Sequence, residues 1–70
     1  MIKRSMSIAG HRTSIALEAE FWAGIEAIAA AHDLPLPLMI KRIDEQRTAA
    51  NLSSAIRVAV LDWYRSRETA

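Results

Sequence analysis

The hydrophobic period of this chain changes once, near Glu18, and that change limits what the chain can fold into. Before it, Met6 and Ile8 alternate with Ser5 and Ser7, and then Thr13, Ile15 and Leu17 alternate with Arg12, Ser14 and Ala16. A period of two belongs to extended backbone, which sends successive side chains to opposite faces. Gly10 marks a bend in it. The two halves could pair as a hairpin across Gly10, but Ala9-Gly10-His11 is not a strong turn sequence. After Glu18 the apolar residues recur at helical spacing, and nothing later reads as a strand.

Three helices are expected. Phe21, Trp22, Ile25, Ile28 and Ala29 form one stripe over 19–32, with Glu18 and Glu20 in or beside a first turn whose dipole favours acids. Asp33 and Leu34-Pro35-Leu36-Pro37 stop that helix, because proline and the residue before it resist helical geometry. A second helix over 36–47 turns Leu36, Ile40 and Ile43 inward, Pro37 suiting its first turn. The polar stretch 47–50 separates it from a third helix over 51–66. Asn51 is a good N-cap there, and Leu52, Ile56, Ala59, Val60 and Trp63 form the apolar stripe. The fold class is mostly α with one amino-terminal β-strand, in a single domain spanning 1–70, of which 3–17 is a basic arm and strand.

A lone strand needs a sheet partner for its backbone groups. The same strand of a second copy, antiparallel about a two-fold axis, is the simplest supply. The size of the chain agrees. Seventy residues bury little surface, and the sequence holds no cysteine, while His11 and His32 lie far apart without a ligand cluster. A homodimer is therefore expected, its core built from Thr13, Ile15, Leu17, Trp22, Ile56, Val60 and Trp63. Arg12, Ser14 and Ala16 fall on the opposite face of the strand.

Charge is distributed unevenly. Residues 1–17 carry Lys3, Arg4 and Arg12 and no acid, whereas the remainder holds six basic and eight acidic residues. A basic, non-helical amino end suits an arm laid against phosphates, and a solvated basic tail is the plain alternative. No apolar run is long enough to span a bilayer and no secretory leader pattern opens the chain, so a cytoplasmic protein without a membrane partner is expected. No nucleophile with a base, carboxylate pair, metal cluster or glycine-rich phosphate loop can be assembled. Neither enzymatic activity nor a cofactor or metal is expected.

The order of strand, helix and capped final helix resembles the ribbon-helix-helix family of bacterial and phage transcription regulators. Arg12-Thr13-Ser14-Ile15-Ala16-Leu17-Glu18 looks like the family's ribbon strand, and Asn51-Leu52-Ser53-Ser54-Ala55-Ile56-Arg57 looks like the start of its second helix. Within the family the similarity is greatest to a short bacterial subgroup with Lys-Arg-Ser, Gly-His-Arg-Thr-Ser and Leu-Ser-Ser, here Lys3-Arg4-Ser5, Gly10-His11-Arg12-Thr13-Ser14 and Leu52-Ser53-Ser54. The resemblance runs from Lys3 to Tyr64. Two departures stand out. The segment Pro37 to Ala50 is an extra helix where the family has only two, and Ala16 occupies the third of three ribbon positions that are usually polar.

What the resemblance implies is a homodimeric, sequence-specific DNA-binding regulator, a repressor, reading the major groove of double-stranded DNA with a two-stranded ribbon. Arg12, Ser14 and Ala16 would meet base edges, Ala16 offering only a methyl contact to thymine. Lys3, Arg4, His11, Asn51, Ser53 and Ser54 would meet phosphates, the last three from a helix amino end that also needs ordinary capping. Trp22, Phe21, Trp63 and Tyr64 sit on helical stripes and belong to the core rather than to base stacking. Two other functions fit the same composition: an antitoxin-like protein, and a protein-binding dimeric adaptor that displays the extra helix and has no use for DNA.

Overall fold

The computed structural model of the protein describes residues 1–47 and 51–68. In chain order they form β1 (Ile2–Ile8), β2 (His11–Leu17), α1 (Ala19–Ala31), α2 (Leu36–Gln46) and α3 (Leu52–Glu68). Three helices and a mostly helical fold match the sequence reading. The strand count does not: the alternating segment is two strands, and the partner of β2 lies in the same chain. They pair antiparallel from Ile2 opposite Leu17 to Ile8 opposite His11, which leaves a two-residue turn at Ala9-Gly10.

Both turn residues have positive φ, 53° at Ala9 and 83° at Gly10. Those are the signs of a type I′ turn, whose twist matches that of the strands. Glycine adopts them freely and alanine does not. That mismatch is why the turn is weak in sequence: the conformation is imposed by what the strands pack on. Ile8, Ile15 and Leu17 point into the core, with Met6 packed against it. The expected homodimer pairing therefore loses its original reason, because β1 already satisfies one edge of β2.

The helices end where local chemistry predicts. Glu18 is the N-cap of α1 and uses its carbonyl, which accepts from the N–H groups of Phe21 and Trp22 at 3.0 Å each. After His32, Asp33 turns left-handed at φ 59°. Its N–H then reaches the Ala30 carbonyl at 3.1 Å, while that of Leu34 reaches Ala29 at 2.9 Å. This is a Schellman closure with aspartate in the usual glycine place. The extra helix α2 begins after Pro35 and buries Met39 and Ile40; Leu36 and Ile43 are partly buried beside them. It packs on β1, α1 and α3. The polar stretch Thr48 to Ala50, read as its linker to α3, lies outside the described residues.

Trp22, Ile25, Ile28, Ile40, Ile56 and Val60 join the strand residues in one core. α1 and α3 meet closely at Gly24, where a Cβ would lie 2.6 Å from Cγ1 of Val60. Of the seven residues assigned to a dimer core, Ile15, Leu17, Trp22, Ile56 and Val60 are buried within one chain, and Thr13 and Trp63 are partly exposed. No single helix among the described residues is long and apolar enough to cross a membrane.

Candidate nucleic-acid interface

Alternation along the hairpin separates two faces. The inner one covers the helices. The outer one carries Lys3, Ser5 and Ser7 from β1 and Arg12, Ser14 and Ala16 from β2, all exposed except the half-buried Ala16. The register sets them in three cross-strand pairs: Ser7 opposite Arg12 near the turn, Ser5 opposite Ser14 in the middle, and Lys3 opposite Ala16 at the far end. The two central hydroxyls lie 3.0 Å apart and share a hydrogen bond. Because one hydroxyl donates to the other, the pair keeps a free proton and lone pairs for an outside partner. The face holds a cation at each end, on opposite strands, and no acid.

Arg12, Ser14 and Ala16 thus share one outward face, as the alternation predicts. Ser5 and Ser7 were absent from the sequence reading of the site. They could have been found by continuing the alternation of Met6 and Ile8 back through β1. Arg4 lies on the inner phase of β1, with its guanidinium 4.5 Å from the centre of the Trp22 ring and 3.4 Å from Glu26 Oε2. Trp22 Nε1 donates to the Ile2 carbonyl at 2.8 Å. All three contacts bind β1 to α1. His11 is exposed beside the turn, on the inner phase of β2.

The start of α3 adjoins the end of the ribbon. Asn51 Oδ1 accepts the Ser54 N–H at 2.8 Å, the N-cap bond read from sequence. Ser53 Oγ donates to the Ala16 carbonyl at 3.2 Å, which ties the helix to β2. One turn further on, Arg57 grips Glu18 through Nε to Oε1 at 3.0 Å and through a terminal nitrogen to Oε2 at 3.3 Å. The Arg57 hydrogen bond, followed by Glu18's own backbone, holds the Glu18 carboxyl below its ordinary pKa. Ribbon, α1 start and α3 start form one braced corner.

That corner can do little chemistry of its own. It offers cations, hydroxyls and backbone N–H groups on a narrow two-stranded surface, which suits the oxygen-rich grooves of a nucleic acid. No curated protein and no solved structure matches the chain. A family model described as a ribbon-helix-helix domain matches residues 1–64, so the chain belongs to the ribbon-helix-helix domain family.

Proposed function

We propose that the protein is a homodimeric, sequence-specific transcription regulator, a repressor, that lays its ribbon in the major groove of double-stranded DNA. The observation that carries this is the acid-free outer face of the hairpin, whose opposite face packs on the core through Ile8, Ile15 and Leu17. Membership of a family associated with DNA binding and transcription regulation supports it. Arg12 reaches a guanine edge and Ser14 makes a shorter base contact, while Ala16 offers its methyl group to thymine. Lys3, His11 and the first turn of α3 at Asn51, Ser53 and Ser54 meet phosphates. Arg4, already held by Glu26 and Trp22, contributes at long range.

The dimer no longer rests on an unpaired strand. Its support is the outward side of α3, where Val58, Leu61 and Tyr64 are exposed apolar residues on one helix of a small protein. Substitution tests the base contact. Arg12→Ala should weaken binding to the preferred duplex by about 1–3 kcal/mol and relax selectivity at one position. A uniform, small loss across all duplexes would make Arg12 a phosphate contact instead.

The adaptor reading draws on one observation, an open depression of about 300 Å³ where α1, α2 and α3 meet, walled by Ile28, Met39, Ile43 and Trp63. It predicts no salt-dependent affinity for duplex DNA.

A further inference from the structure

We propose that the extra helix α2 is a phosphate clamp, in which Lys41 holds the DNA backbone on the β1 side of the ribbon. This deepens the DNA-binding reading and rests on it. It gives α2 a function without asking it to read sequence.

The direction in which α2 faces follows from its spacing. A helix turns about 100° per residue, so Met39, Ile43 and Gln46 form one ridge and Pro37, Lys41 and Asp44 another, with the fully buried Ile40 between them. The first ridge lines depressions shared with α3 and, at Ile28, with α1. The third element on which α2 packs is β1. That strand therefore lies on the side of the second ridge. Burial agrees. Lys41 and Asp44 are half-buried, whereas Leu38 and Arg42, on the outward line of the helix, are exposed.

Charge singles out Lys41. Arg4, Arg47 and Arg57 are each paired with an acid, in order Glu26, Asp44 and Glu18. Among the described residues no carboxylate pairs with Lys41, and its ridge neighbour Asp44 is held by Arg47 at 2.9 Å. A lysine whose stem lies along the protein and whose ammonium has no acid beside it presents a point charge to a phosphate.

The β2 side of the ribbon already has its helix. Ser53, in the first turn of α3, donates to the Ala16 carbonyl of β2, so α3 flanks one strand as α2 flanks the other. A ribbon lying in the major groove has a phosphate ridge on either side of it, and contacts to those ridges fix its register and orientation. The start of α3 addresses one ridge and Lys41 the other.

The test is duplex affinity across a salt series for the wild-type chain, Lys41→Gln, Lys41→Arg and Arg42→Gln. Each phosphate contact contributes about 0.9 to the slope of log affinity against log salt. Lys41→Gln should make the slope shallower by about that amount per copy and weaken the preferred and the scrambled duplex by the same factor. Lys41→Arg should restore both. Arg42→Gln, the same change of charge on the outward line of the same helix, should leave the slope as it is. An unchanged slope in Lys41→Gln, or an equal change in Arg42→Gln, would overturn the clamp while DNA binding stands. If the wild-type chain has no salt-dependent affinity for any duplex, the DNA-binding reading fails, and the clamp with it.

Discussion

Ala9 holds φ at 53°, a left-handed conformation that costs a residue with a Cβ about 1–2 kcal/mol. Asparagine tolerates that region and forms, with a following glycine, the favoured type I′ pair. Ala9→Asn should therefore raise stability by about 0.5–1 kcal/mol, read as a higher urea midpoint with unchanged slope. At Gly24 the sign reverses. An added methyl would lie 2.6 Å from the Val60 side chain at the contact of α1 and α3, so Gly24→Ala should destabilise by about 1–3 kcal/mol in the same titration. Neither position was legible in the sequence. Both Ala9 and Gly24 are governed by partners that only the folded chain brings near. The strand alternation and the Asn51 cap were legible, because each depends on neighbours a few residues away.

The elements are joined at one corner by groups far apart in sequence. Arg57 and Glu18 are separated by 39 positions, and the sequence placed the first only in the family-like start of the final helix and the second only at the end of the strand and beside the first turn of the helix after it. Their pairing has a pH signature. Glu18 has a lowered pKa when folded, so the charged form contributes stability above the ordinary carboxylate range and that contribution is lost as pH falls through the lowered value. The stability difference between wild type and Glu18→Gln should shrink as acid is added and stay flat above the carboxylate range. A difference that persists unchanged into acid would show that Arg57 does not favour the charged form. The hairpin was left open at this scale for a related reason. Its turn is poor, and the strands are held by the core they pack on, to which α2, a helix whose role the sequence left unassigned, contributes Met39 and Ile40.

For the whole molecule, the asymmetry of charge read from the sequence acquires a shape. Lys3 and Arg12 stand on the outer face of a braced ribbon, while Arg4 turns inward to Glu26 and Trp22. The proposed reading face was half legible: β2 supplied Arg12, Ser14 and Ala16, and the matching outward residues of β1 emerged only with the register. The central claim is that this face recognises duplex DNA by sequence. Its most direct test is a fluorescence titration of the purified protein against its own upstream region and a scrambled duplex of equal length, at two salt concentrations, with the mass of the complex measured alongside. The account predicts that a dimer binds the upstream duplex more tightly, with an affinity that falls as salt rises. Equal, weak binding to both duplexes would contradict it and leave the depression where α1, α2 and α3 meet as the surface to pursue.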